Sequence, residues 1–260
     1  MIAQPRHYVA LSGRLRWDPH AIELGADARA WPGLPARQRE RLVTLLAGFR
    51  VAESSVAEDL APFAPATVDP TTAAAFAAQR ADEERHAIFF DRVAESLLRL
   101  PGDAPDARRD AARACAPPAL LELFERRLPE TAAALRERRA GLAEAVGLYH
   151  MLLEGVVLGA GLSALLDELA DGALPGLRAG VERVERDERW HVGFGLRCLL
   201  DLRPGPELRR LLDDAQAAAD AWGDAVSLPV RSRAVARHRR RLAAMGLAPG
   251  LAHAVPLSTG

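Results

Sequence analysis

Two Glu-x-x-His tetrapeptides, Glu83-Glu84-Arg85-His86 and Glu188-Arg189-Trp190-His191, lie inside otherwise apolar helical stripes, and each follows another inward-placed glutamate, Glu53 or Glu154. Residues three apart on a helix project the same way, so each tetrapeptide offers a carboxylate and an imidazole to one metal ion. Glu53 precedes its tetrapeptide by 30 residues and Glu154 precedes its own by 34, which gives each half the order helix with Glu, connector, helix with Glu-x-x-His. Four helices must therefore turn four carboxylates and two imidazoles toward one another. That ligand arrangement belongs to the ferritin-like di-metal carboxylate bundles. The fold class expected is all-α, a ferritin-like four-helix bundle core with additional helices.

The remaining pattern agrees with a helical reading. No stretch alternates apolar and polar residues long enough for a strand, and aromatic residues make up only 5% of the chain. With 34 basic against 35 acidic residues the net charge is -1, which supplies no field to gather nucleic acid or an anionic membrane. Two cysteines, Cys115 and Cys198, show no paired spacing, and no apolar run follows the basic residues near Met1, so a reducing, cytoplasmic location is expected. Leu142 to Leu166 is long and apolar enough for a membrane span, yet it carries Glu144, His150 and Glu154. It reads instead as the surrounded central helix of a bundle.

Residues 1–260 are expected to form one domain: an irregular arm over 1–36, a metal-binding helical core over 37–202, and accessory helices with a tail over 203–260. Within the core the apolar period places helices over Arg37 to Leu60 and from an N-cap at Thr71 or Thr72 to about Leu100. Pro101 to Pro118 reads as a connector, with a helical stretch around Leu120 to Leu128 after it. A long helix or kinked pair is expected over Glu130 to Leu169, and a further helix begins at Pro175. Pro206 to Trp222 and Pro229 to Met245 read as two accessory helices.

Four bare carboxylates on apolar stripes would cost several kcal/mol each to bury, about what two divalent cations would offset. Mixed carboxylate and imidazole donors suit iron or manganese better than a closed structural zinc site. Asp187, just before Glu188, is a candidate acceptor for the free ring N–H of a ligand histidine, and Asp82 stands in the same relation to Glu83. Either could equally be an ordinary surface acid. His150 reads as a core or rim histidine, and the Arg237 to Arg241 run as a solvated helix face.

From about Arg37 to Leu202 the chain resembles the small, metal-bearing subunit of class I ribonucleotide reductase, with Asp187-Glu188-Arg189-Trp190-His191 similar to that family's second ligand motif. The family's radical tyrosine, one turn after the first ligand histidine, is Phe90 here, and the only tyrosines are Tyr8 and Tyr149. A sister group, the ligand-binding oxidases, is matched more closely. That resemblance implies a manganese and iron cofactor, or two irons, a bound long-chain fatty acid or similar aliphatic ligand, and an ether cross-link between Val56 and Tyr149. The metal ligands it implies are Glu53, Glu83, His86, Glu154, Glu188 and His191, with Phe90 and the apolar third helix lining the ligand pocket. The expected activity is a two-electron, dioxygen-dependent oxidation of a C–H bond by a homodimer that neither spans a membrane nor binds nucleic acid. Three other readings remain: a reductase small subunit with a manganese and iron pair, a biosynthetic hydroxylase or N-oxygenase, and a non-enzymatic metal-binding bundle. Val184 stands where the arylamine N-oxygenases carry an extra histidine.

Overall fold

The computed structural model describes residues 2–202, 213–244 and 246, and among them every regular element is a helix. The order is α1 (Pro5–Leu15), α2 (Gly25–Ala30), α3 (Ala36–Asp59), α4 (Pro70–Val93), α5 (Pro105–Arg113), α6 (Pro118–Leu121), α7 (Leu128–Arg136), α8 (Leu142–Val146), α9 (Gly159–Glu168), α10 (Pro175–Leu202), α11 (Ala215–Asp220) and α12 (Leu228–Ala244). Three π-helical segments extend or fuse them: Ala94–Leu98 after α4, Glu122–Arg127 between α6 and α7, and Gly147–Leu158 between α8 and α9. The accessory helix expected from Pro206 is described only from residue 213 onward, and Met245 also lies outside the described residues.

The four long helices α3, α4, α8–α9 and α10 form the bundle, with α3 against α4 and α10 against the π segment of α8–α9. The stripe Leu42, Leu45, Leu46, Phe49, Glu53, Val56 on α3 is wholly buried, as are Leu177, Val181, Val184, Glu188 and His191 on α10. Leu142–Glu168 passes a length and hydropathy test for a membrane span, but 94% of its apolar window is buried within the protein. It is the bundle's inner helix.

Helix starts and stops follow local chemistry. The cap of α4 is Asp69 and not Thr71 or Thr72: its carboxylate accepts the Thr72 N–H at 2.7 Å, and Pro70 fills the first turn, where no N–H is required. The N-terminus of α10 is capped from outside, by Asp27 of α2, which accepts the N–H of Gly176 at 3.2 Å and that of Leu177. Gly176 permits this approach, since a Cβ there would stand 2.0 Å from the Glu23 carbonyl oxygen.

Two expectations need correction, and one pair of alternatives is decided. The arm over 1–36 is largely helical, because α1 has its own buried face, Tyr8 and Ser12, packed on α4 and α10. The segment 101–118 is not a bare connector. It contains α5, whose charges are anchors: Arg108 pairs with Asp91 on α4 and Arg109 donates to Glu58 on α3 at 2.8 Å. Of the long helix and the kinked pair expected over Glu130 to Leu169, the structure shows a pair, broken where Arg138 takes a left-handed φ of 59° before Gly141.

Candidate metal centre

The six glutamates and histidines expected as ligands converge. Glu53 comes from α3, Glu83 and His86 from α4, Glu154 from the π segment, and Glu188 and His191 from α10, and all are buried. Their donor atoms form two overlapping quartets, Glu53, Glu83, His86 and Glu188, and Glu83, Glu154, Glu188 and His191, each with donors within 4.8 Å of one another. Glu83 and Glu188 belong to both. The residues would therefore hold two ions, Glu53 and His86 on one side, Glu154 and His191 on the other, with Glu83 and Glu188 within reach of both.

Hydrogen bonding gives an independent test of that fit. Both oxygens of Glu53 and of Glu188, Oε2 of Glu154 and Nδ1 of His191 are buried without a hydrogen-bond partner. Unsatisfied polar atoms are costly and rare in protein interiors. A cluster of them aimed at one volume is a coordination shell.

Both imidazoles are oriented alike. Nδ1 of His86 lies 3.1 Å from Glu83 and 3.5 Å from Glu188, while its Nε2 points to Asp187 at 3.4 Å. Nδ1 of His191 lies 2.9 Å from Glu83 and 3.4 Å from Glu154, while its Nε2 points to Asp82 at 3.6 Å. Each ligand histidine thus faces the aspartate that precedes the other half's ligand glutamate. The paired carboxylate fixes the tautomer that leaves Nδ1 free for a metal.

These aspartates are buried, not surface acids. Asp187 accepts the Trp17 indole N–H at 2.7 Å, and Asp82 accepts the Ser12 O–H at 3.0 Å and the Trp190 indole N–H at 3.1 Å. The N-terminal segment is in this way bolted to the centre.

A further residue, Gln79, escaped the sequence reading. It is buried on α4 one turn before Glu83, and its amide donates to the Tyr149 hydroxyl at 3.1 Å and to Glu154 at 2.9 Å. Its carbonyl lies 2.9 Å from Nε2 of His150, which is a core histidine. Because Gln79 occupies the phenol oxygen as donor, the Tyr149 proton is directed to Glu83, at 2.7 Å. The π segment helps bring Tyr149 and Glu154 to one partner. In an α-helix residues five apart point about 140° away from each other, whereas i→i+5 bonding turns them toward one face. Val56 is buried one turn after Glu53. Phe90 lies against Phe49 at 5.0 Å and Phe89 at 5.0 Å and fills core space. The expected pocket wall is there a packed aromatic cluster.

Burial pushes Glu53 up to about 8 and Glu154 well above the usual carboxylate range. Burial would also raise Glu83, but His191 and His86 outweigh it and hold the carboxyl well below that range. Burial disfavours both imidazolium forms, yet hydrogen bonds donated to Asp187 and Glu188 raise His86 well above its ordinary value, and the neighbouring Glu83 and Glu154 do so for His191. Metal-free, the cluster therefore favours extra protons, since Glu53, Glu154, His86 and His191 are all raised above their ordinary values. All four groups bind protons more tightly folded than unfolded, so their contribution to stability falls as pH rises. Thermal melts in chelator are accordingly expected to show Tm declining from pH 6 to pH 8.5, through the Glu53 value of about 8, and metal loading to abolish the decline. A chelated protein equally stable across that range would contradict the assignment.

The pattern of the family described as ribonucleotide reductase, small chain, matches residues 11–211. The chain belongs to the ribonucleotide reductase small-chain family. Among solved structures it is similar to R2-like ligand-binding oxidases. A valine-to-leucine variant with an anaerobically reconstituted Mn/Fe cofactor superposes with a TM-score of 0.80 at 18% identity, over 95% of this chain and 94% of that one. A tyrosine-to-phenylalanine variant with an aerobically reconstituted Mn/Fe cofactor gives 0.79 at 17% identity, over 95% and 94%. A glycine-to-leucine variant with an aerobically reconstituted Fe/Fe cofactor gives 0.74 at 18% identity, over 94% and 86%. These likenesses fix this family member's fold, and the buried six-residue cluster sits in its bundle core.

Proposed function

We propose that the chain is an oxygen-dependent oxidoreductase that holds manganese and iron, or two irons, on Glu53, Glu83, His86, Glu154, Glu188 and His191, and oxidises a C–H bond by two electrons. The observation that carries this reading is the pair of overlapping donor quartets sharing Glu83 and Glu188. Held on these residues, two ions would supply two of the four electrons that reduce dioxygen to water, with two of the four protons drawn from solvent.

The remaining steps belong to the chain. Val56 and Tyr149 are the proposed internal substrates, which would lose one hydrogen each as an ether bond joins the valine carbon to the phenol oxygen. Those two hydrogens carry the other two electrons. Glu83 is placed to receive the Tyr149 proton and Gln79 to keep the phenol oriented as its donor. Burial, followed by the neighbouring Glu154 and Glu83 carboxyl groups, raises Tyr149 well above an ordinary phenol. A long-chain fatty acid or another aliphatic molecule is the proposed ligand, and a homodimer the proposed assembly.

Aerobic reconstitution followed by elemental analysis is expected to give close to two metal ions per chain, and intact-mass and peptide spectrometry the loss of two hydrogens linking the Val56 and Tyr149 peptides. Bound metal with unlinked peptides would refute the cross-link alone. Failure to retain iron or manganese would refute the oxidase reading.

A further inference from the structure

Trp190 on α10 joins the metal centre to an aromatic side chain of the N-terminal helix. Its indole stands edge-on to the ring of His191, with centroids 4.3 Å apart, and it donates its N–H at 3.1 Å to Asp82, the carboxylate that Nε2 of His191 faces at 3.6 Å. Asp82 is fixed in turn by Ser12 and Arg85, so the indole is held in place. Tyr8 of α1 stacks on the same indole at a centroid distance of 6.2 Å and an angle of 24°, inside the ordinary range of aromatic pairs. Gly193 gives the phenol its room, since a Cβ there would stand 3.2 Å from the Tyr8 hydroxyl oxygen. His191 is 0% exposed, Trp190 3% and Tyr8 7%, so the three rings lead outward step by step from a metal ligand to the surface. Beyond them His7, edge-on to Tyr8 at 5.6 Å, is exposed.

Indole and phenol are among the side chains most readily oxidised, and electron transfer between rings falls steeply with the gap that separates them. Rings in contact therefore carry an electron over a distance that a single step would cross slowly. The only other tyrosine is Tyr149, which sits against Glu83. Once joined to Val56 it would have no O–H left to lose, and dioxygen arriving when no C–H bond is at hand would find two electrons on the ions and need two more.

We propose that Trp190 and Tyr8 form an electron relay between the surface and the metal centre, which supplies one at a time the two electrons that a C–H bond would otherwise give. The relay rests on the metal reading above and goes beyond it. In each passage Tyr8 gives one electron through Trp190 to the oxidised centre and its phenolic proton to water, and the phenoxyl oxygen left behind takes a hydrogen atom from a small thiol in solution. Two passages convert two thiols into one disulfide. The two electrons and two protons so released join two electrons from the ions and two further protons from solvent, and one dioxygen becomes two waters.

The test is electron paramagnetic resonance on samples frozen at intervals after oxygen is added, without thiol, to protein loaded with reduced metal, with metal content measured on every sample. All variants carry Y149F, which leaves Tyr8 as the only tyrosine. Y149F is expected to show a tyrosyl radical, Y8F/Y149F and W190F/Y149F to lose it at equal metal content, and added thiol to abolish it. W31F/Y149F, altered at a tryptophan outside the relay, should match Y149F. Y8F removes one oxygen atom and keeps the ring, so it decides the matter if W190F folds poorly. A tyrosyl signal that survives W190F in full, or its absence from Y149F whose metals have been oxidised, would overturn the relay and leave the metal reading standing. Protein that retains no metal would sink both.

Discussion

Exchanging Glu83 for alanine is expected to strip metal from both halves of the centre at once. Glu83 belongs to both donor quartets, and its two oxygens face His86 at 3.1 Å and His191 at 2.9 Å. Ligand binding at a thousandfold excess over the dissociation constant stabilises a fold by about 4 kcal/mol. For a chain of this size each kcal/mol shifts Tm by about 2–4 °C, so loading should raise the wild-type Tm by roughly 10 °C. E83A should show no such rise and fewer than one bound ion per chain. It should also be less stable than wild type without metal, because Glu83 is the anion that both raised imidazoles face. Glu154→Gln separates the two effects. Burial already raises the Glu154 carboxyl well above its usual range, so the neutral glutamine should be tolerated without metal while weakening one metal position. Two ions per chain retained by E83A would sink the shared-ligand assignment.

The second large effect is steric and begins at a glycine. A Cβ at Gly195 would stand 2.3 Å from Cβ and 2.5 Å from Cγ of His150, atoms close to the backbone that cannot swing away. Overpacking of this kind costs about 1–3 kcal/mol, and here it would not stay local. Pushing His150 disturbs its 2.9 Å contact with Gln79, which in turn holds Tyr149 and Glu154. G195A is therefore expected to lower Tm by several degrees and to reduce any Val56–Tyr149 cross-linking, read by peptide mass spectrometry. Gly13→Ala, with nothing within 4 Å of the new Cβ, is the control and should be neutral or slightly stabilising. Equal melting of G195A and wild type would show that the helix contact can relax, and would remove the steric link to the site.

The doubled Glu-x-x-His was legible because the period of an α-helix ties sequence spacing directly to direction. Glu83 and His86 fall on the stripe that carries Phe76 and Phe90, and all are buried. Gln79 lies on that same stripe, and a buried-position amide was its one signal. Trp17 carried none, since its partner Asp187 is 170 residues away and only packing of the N-terminal segment joins them. Asp82 and Asp187 could not be told from surface acids because the flanking arginines, Arg85 and Arg186, make both motifs look like solvated faces, although each arginine in fact pairs inward with its aspartate. The π segment was invisible for a different reason. Its register is imposed by what Tyr149, His150 and Glu154 must reach, and the apolar run Gly147–Leu158 carries no period that distinguishes α from π. Likewise the Arg237 to Arg241 run on α12 is not one solvated face. Arg239 and Arg240 are exposed, whereas Arg237 and Arg241 are half-buried, and Arg241 donates to the carbonyl oxygen of Gly155 at 3.3 Å, a seat that the spacing alone does not reveal.

Anomalous diffraction at the manganese and iron edges, on crystals of aerobically reconstituted protein, tests the central claim most directly. Two peaks about 3.5–4 Å apart, one flanked by Glu53 and His86, the other by Glu154 and His191, with Glu83 and Glu188 reaching both, are the result expected. A single peak, or none within reach of these six side chains, would contradict it.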